Sequence, residues 1–362
     1  MTLKPIQYHD AIESIPADEL EIGEQIVAQM AASGIAAYER HRHAVRDAHA
    51  KSNALLKGEL IVHDGLRSEL RQGIFVEPTT YSVIARLSSA PGDIHSDEVP
   101  APRGFAIKVV GVKGARLSPL LRGANQDFLM VNFPTLAFGT VARYKTFLDL
   151  LEANARAPEP AQRLVAGLAR GAKRVVSALG GTTGATLEGL ARDNHHPLGE
   201  TYHTQAAIRF GEYIAKLSLS PSSTEVQALT GQEVPSSQSA MRDAVATFFS
   251  AHSAEFTLCA QLCRDPECMP IEDASILWDD VLSPHEPIAT LRFPTQPAYS
   301  PARQVYGDDV LSFSPWNGVE AHRPLGGIMR IRRLAYDRSS RFRHQMNDRP
   351  RLEPGRLEDM PD

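Results

Sequence analysis

Eight runs of extended-chain character, broken by one long helical interruption, constrain this 362-residue chain more than any other feature of its sequence. The runs fall at residues 59–63, 80–88, 104–112, 127–133, 201–210, 213–219, 255–262 and 287–293. They are dense in Val, Ile, Thr, Tyr and Phe, side chains that pack well on a pleated surface. Pro91 with Gly92, and Lys113 with Gly114, supply turns between them. Ahead of the runs, Ser14, Pro16, Asp18 and Glu19 form a helix opening, since a hydroxyl can cap and acids suit the positive end of the dipole. The stripe Ile22, Ile26, Met30 and Ile35 carries that helix to about His41. Residues 140–200 read as largely helical, and further helices are expected near 240–250 and over 332–343. Strands interrupted by helical insertions suit an antiparallel β-barrel in an α+β setting.

Composition removes several classes of function. A net charge of -5 provides no basic field for non-specific nucleic-acid binding. No apolar run approaches the length of a membrane span, and the first ten residues hold no signal-type apolar block, so a cytoplasmic protein is expected. A basic amphipathic stretch over 163–179 could touch a membrane surface, but packing against the domain with a solvated basic side is the favoured reading. Cys259, Cys263 and Cys268 lack a fourth ligand at zinc-site spacing, and Cys259 and Cys263, in a strand-like run, read as core or half-buried thiols. The adjacent pair His195 and His196 reads as an exposed loop, because neighbouring residues rarely share one face of an element.

The chemistry of the chain gathers first in the stretch R-R-L-A-Y-D-R-S-S-R-F-R, from Arg332 to Arg343. On one helix, Arg332, Tyr336 and Arg343 are offset by four and then seven residues and share a face. A guanidinium one turn from a phenol favours the phenolate. Tyrosinate is one of the few protein ligands of haem iron. Alone, such spacing more often marks a surface pair. Peroxide chemistry at a haem also needs a base and a hydrogen-bond donor on the open face, roles that suit histidine and asparagine.

Five segments meet those needs in order. The run R-D-A-H-A-K-S-N-A-L-L-K-G from Arg46 resembles the distal-histidine segment of catalases. R-L-S-S from Arg86 and P-R-G-F-A-I-K from Pro102 resemble the next two. N-Q-D-F-L-M-V-N-F-P-T-L-A-F, from Asn125 to Phe138, resembles the strand with the distal asparagine, and R-R-L-A-Y resembles the proximal motif. The chain is thus identified as a member of the catalase superfamily, most similar to the short bacterial catalase-related haem peroxidases, over about Arg46 to Arg343. The resemblance implies a catalase-like, eight-stranded antiparallel barrel with an N-terminal helix, helical insertions, and haem b buried between the barrel and the C-terminal helix. It implies an N-terminal helical arm at 1–45, a haem-binding barrel domain at 46–346 with an insertion at 140–200, and a polar tail at 347–362, frayed or wrapped on the surface. It assigns Tyr336 as the iron ligand, Arg332 as its charge partner, His49 as distal base, Asn125 as distal donor and Ser88 as the hydroxyl that bonds the histidine. Arg46, Arg86 and Arg343 would meet the haem propionates, and Phe138 would pack on the distal face.

The implied activity is a haem-dependent hydroperoxidase, reducing hydrogen peroxide or organic hydroperoxides through a ferryl haem, with a small organic electron donor and a homo-oligomeric state. The chain departs from the family pattern at Ser52, at Leu334 in place of phenylalanine, and at Met130 and Val131 in place of two aromatics. Ala48 stands where catalases carry valine. Smaller side chains widen the distal side and admit larger peroxides. A fatty-acid hydroperoxide isomerase or lyase on the same scaffold is the second reading, weakly favoured by the basic stretch over 163–179, although Ala48 cannot supply the hydroxyl that such enzymes carry at that position; a haem-binding sensor or carrier is the third.

Overall fold

A computed structural model describes residues 3–118, 123–156 and 194–362. The basic stretch 163–179 lies outside these residues. The N-terminal helix α1 spans Glu19–His41 and ends on Arg42 in the left-handed conformation (φ 55°), whose amide donates to the Tyr38 carbonyl. Four strands follow: β1 Lys51–Val62, β2 Thr80–Ser89, β3 Arg103–Val109 and β4 Gln126–Val131. Helix α2, Val141–Arg156, begins the insertion. Beyond it come β5 Tyr202–His203, β6 Ile208–Phe210 and β7 Tyr213–Pro221, the helices α3 Thr224–Gln227 and α4 Ala240–Phe249, and then β8 Ala254–Leu262 and β9 Glu286–Phe293. Helix α5, Pro301–Val305, runs into a π-helical turn, Tyr306–Val310, and helix α6, Gly327–Met346, closes the domain.

The sheet is antiparallel and closes on itself. Its order runs β5-β4-β3-β2-β1-β9-β8-β7, and β5 pairs with β7 to complete an eight-stranded barrel; β6 pairs with the same edge of β7 further along. Closure leaves no open strand edge. Alternate residues point inward, so Leu56, Leu60, Val83, Phe105, Phe128, Leu217, Phe256, Leu291 and Phe293 fill the interior as one apolar cluster. The first strand begins eight residues before the expected 59–63. Ser52, Asn53 and Gly58 have little intrinsic strand preference, and pairing from Lys51↔Ser89 through Ile61↔Thr80 overrides it.

The outer face of β2, β3 and β4 positions the site. Register places Ser88, Gly104 and Val131 in one row, Arg86, Ala106 and Leu129 in the next, and Ile84, Lys108 and Asp127 in a third. Helix α6 crosses beside this face, packed on α1 and α2 through Ile26, Val27, Val141, Ile331 and Ala335. Its first turn is anchored by Arg330, which pairs with Glu13, Glu19 and Glu272. At its other end the Asn347 amide brackets Ala44, accepting from the Ala44 amide (2.8 Å) and donating to its carbonyl (2.9 Å).

The C-terminal tail is wrapped on the surface, the second of the two expectations. Met360 is buried with Leu55, Ile84, Leu311 and Phe313, and Glu353 reaches Lys108. Cys259 and Cys263 are buried, and burial pushes both thiols up to about 11. His196 departs from the expected loop exposure: it is buried, and its Nδ1 accepts from the Leu198 amide at the start of a 3-10 turn. No helix among the described residues is long and apolar enough to cross a membrane.

Candidate functional site

Between the barrel face and α6 lies a cavity of about 100 Å³, partly open to solvent. The barrel wall is the first two rows of the face, and the segment 46–49 forms its rim. Helix α6 contributes Arg332, Ala335, Tyr336, Ser339, Ser340 and Arg343 to the opposite wall. The offsets read from the sequence thus put Arg332, Tyr336 and Arg343 into a single cavity.

His49 is held tightly. Its backbone is left-handed (φ 56°), and its amide donates to the Ala90 carbonyl at 2.9 Å. Its Nδ1 lies 3.1 Å from Ser88 Oγ, the pairing expected from the sequence. Gly104, beside Ser88 in the register, makes this possible: a Cβ there would come within 2.5 Å of His49 Nδ1 and 2.8 Å of Ser88 Oγ. Burial, reinforced by Arg86, Arg332 and Arg46, lowers the imidazole from 6.5 to about 3. His49 is therefore neutral near pH 7. When Nδ1 donates to Ser88 Oγ, Nε2 is the unprotonated nitrogen of the ring.

Cations dominate the rest of the lining. Arg46 and Arg86 share one oxygen of Asp308, each at 3.0 Å. Arg343 donates to the Asp308 carbonyl (2.5 Å) and to Ser312 Oγ (2.9 Å). Arg332 makes only a 3.7 Å contact with Met329 sulfur and no ion pair among the described residues. Among the described residues, the buried Nε atoms of Arg86 and Arg343 have no partner. Burial pulls Arg343 down to about 10, and burial followed by repulsion from Arg86 and Arg343 pulls Arg46 well below its usual value. Asp47, also in the lining, is pushed up to about 6 by burial.

Two expected site residues lie elsewhere. Asn125 is buried, but its amide donates to Glu353 Oε2 (3.1 Å) and the Pro354 carbonyl (3.0 Å), and it is not part of the cavity lining. It precedes Leu129 by four residues, roughly 13 Å along an extended strand. Phe138 stacks on Phe147 at 4.1 Å, again outside the lining. Asp308, Gly104 and Asp47 were not singled out from the sequence. The P-R-G-F-A-I-K segment contained Gly104, whereas Asp308 lies in an irregular proline-rich stretch with no local pattern to mark it.

No protein-family model and no curated protein sequence matches the chain. Solved structures do. Catalase A from Saccharomyces cerevisiae superposes with a TM-score of 0.58 at 13% identity, covering 95% of this chain and 67% of that one. A fungal catalase gives 0.57 at 14% identity, covering 98% and 69%. The chain has the catalase fold. A bacterial catalase adds the same result, with a TM-score of 0.58 at 12% identity over 96% of this chain and 66% of the other. The chain spans about two thirds of the length of these catalase-fold relatives.

The cavity residues fit a haem on their own chemistry. A dicarboxylate porphyrin needs cations for its two propionates, and the lining carries four arginines with two unpartnered buried Nε atoms. An iron needs an axial donor, and Tyr336 is a type used for it. Among the described residues no group of three or more His, Cys, Asp or Glu side chains is arranged to hold a metal ion. Tyr336 in the cavity is thus the donor the fit relies on.

Proposed function

We propose that the chain is a haem-dependent hydroperoxidase that reduces hydrogen peroxide or organic hydroperoxides. The observation that carries this is the meeting, in one cavity, of a neutral His49–Ser88 pair, Tyr336 and Arg332 on the facing helix wall, and an arginine group short of counter-charge. The haem, when bound, supplies the electrons that break the peroxide O–O bond. Tyr336 would hold the iron from α6, with Arg332 on the same wall of the cavity. Arg46, Arg86 and Arg343 would pair with the propionates. His49 takes the hydroperoxide proton at Nε2 and returns it to the departing oxygen, so that water or an alcohol leaves. Ser88 and Gly104 keep the ring in place for both transfers. Met30, Ala48, Leu129 and Val131 give the cavity an apolar wall, which favours organic hydroperoxides.

That apolar wall also supports the fatty-acid hydroperoxide isomerase or lyase reading, which predicts loss of the diene absorbance without any electron donor. The sensor or carrier reading has no use for a positioned base. The purified protein should show a Soret band, and it should turn over hydrogen peroxide or a fatty-acid hydroperoxide. His49→Ala should slow turnover by about 10²–10⁴-fold while the Soret band remains. Tyr336→Phe should weaken haem binding or shift the band. A haem-loaded protein inert to every peroxide sinks the proposal.

A further inference from the structure

One acid serves all three of the arginines Arg46, Arg86 and Arg343. Asp308 sits on the π-helical turn Tyr306–Val310, a geometry frequent at functional sites. Its Oδ1 accepts from Arg46 Nη1 and Arg86 Nη2, and its carbonyl accepts from Arg343 Nη1. Asp308 does not itself line the cavity, so it holds the guanidinium groups from behind. Arg86 Nη2 also donates to the carbonyls of His49 (3.0 Å) and Ala50 (3.3 Å). A left-handed backbone at a non-glycine residue is costly and persists only where its surroundings hold it. The bracing of His49 thus runs through Arg86 to Asp308.

We infer that Asp308 is the positioning residue of this cavity: it aims Arg46, Arg86 and Arg343 at the carboxylates of an anionic ligand and, through Arg86, holds His49 in its left-handed conformation. The identity of that ligand rests on the porphyrin reading above; the bracing of His49 does not. Arg46 on the 46–49 rim and Arg86 on β2 are tied to its carboxylate, and Arg343 on α6 to its carbonyl, so a change of the side chain should loosen the first two together.

The test uses the full-length protein as wild type, Asp308→Asn and Asp308→Glu. The first measurement titrates metal-free protoporphyrin IX and its dimethyl ester, which removes any contribution from iron. Wild type should prefer the free acid. Asp308→Asn should lose about tenfold in acid affinity with ester affinity unchanged, since a charge-assisted contact is weakened, and Asp308→Glu should recover part of it. A purely structural role would instead weaken acid and ester alike. The second measurement follows the His49 ring by histidine-labelled NMR in the ligand-free protein, where Asp308→Asn should shift its resonances. If Asp308→Asn does not fold, Asp308→Glu is read by the same two measurements. An unchanged acid-to-ester ratio, or unchanged His49 resonances, overturns the inference. Wild type binding neither porphyrin refutes the porphyrin reading, and the His49 resonances then decide for Asp308 alone.

Discussion

The arginine cluster around Asp308 and the lysine cluster around Asp127 occupy successive rows of the same barrel face, yet their charge balance is opposite. Lys108 places its three N–H bonds on Asp127 Oδ1, Asp127 Oδ2 and Glu353 Oε2, at 2.7, 2.9 and 2.9 Å. The remaining acceptor capacity is taken by Asn125, Asn317, Arg351 and the Ser314 amide. That cluster is closed, and a strap from the C-terminal tail completes it. In the other cluster two guanidinium groups share a single carboxylate, a third rests on the same residue's carbonyl, and among the described residues two buried Nε atoms have no partner. A buried ionic network that balances itself holds a fold together; one left short of anions is suited to receive them. Asn125 was expected on the open side and belongs to the closed one.

The comparison can be broken most severely at Lys108. Lys108→Met leaves two carboxylates buried without their cation and should cost about 3–5 kcal/mol in urea unfolding. A variant as stable as wild type would show that the closed cluster contributes little. His49 and Asp127 should also respond to acid with opposite signs. Folded His49 stays neutral down to about pH 3, whereas an unfolded histidine protonates near 6.5. The unfolded chain therefore takes up the proton first, and stability present above pH 6.5 is lost as pH falls toward 3. His49→Gln should flatten that part of the melting-temperature profile. Asp127, pushed up to about 6 by burial, binds its proton first in the folded state, so its own contribution rises as pH falls from about 6 toward 3.8. Asp127→Asn should remove that opposing contribution and steepen the acid loss, if the amide keeps the cluster assembled.

Smaller effects sharpen the contrast. Arg332 lacks an ion pair among the described residues, so Arg332→Met should change unfolding free energy by no more than about 0.5 kcal/mol. The same variant should shift the Soret band if Arg332 faces the iron ligand. Leu334, which stands where the catalase motif has phenylalanine, is 41% exposed on α6 and absent from the cavity lining. Leu334→Phe should leave stability within about 0.5 kcal/mol and the spectrum unmoved. A spectral change there would mean that α6 presents a different face to the ligand.

Much of the fold was legible because its signals are local and repeated. The β-branched and aromatic content of β2, β7 and β8, and the stripe on α1, each need only a few neighbouring residues to be read. The start of β1 was not legible, because its Ser, Asn and Gly residues become strand only when β2 pairs with them. The same division runs through the site. His49 with Ser88, and Arg332 with Tyr336 and Arg343, could be read from motif and spacing. Asp308 could not, since nothing near it in the chain shows that Arg46, Arg86 and Arg343 will come to it.

By itself, the sequence determined the barrel's strands, the helix face at 332–343 and the residue types from which a base, a phenol and a set of arginines are drawn. Helical and strand periodicity are properties of the backbone, so they survive without knowledge of the neighbours. Only the tertiary structure decided which of those residues share a cavity. Closure of the barrel set the register that aligns Ser88 with Gly104, and docking of the tail drew Asn125 toward Glu353. The π-helical turn brought Asp308 behind the arginines. Each of these contacts joins residues far apart in the chain, and the energy that fixes them comes from burial and charge balance in the assembled fold rather than from any local preference.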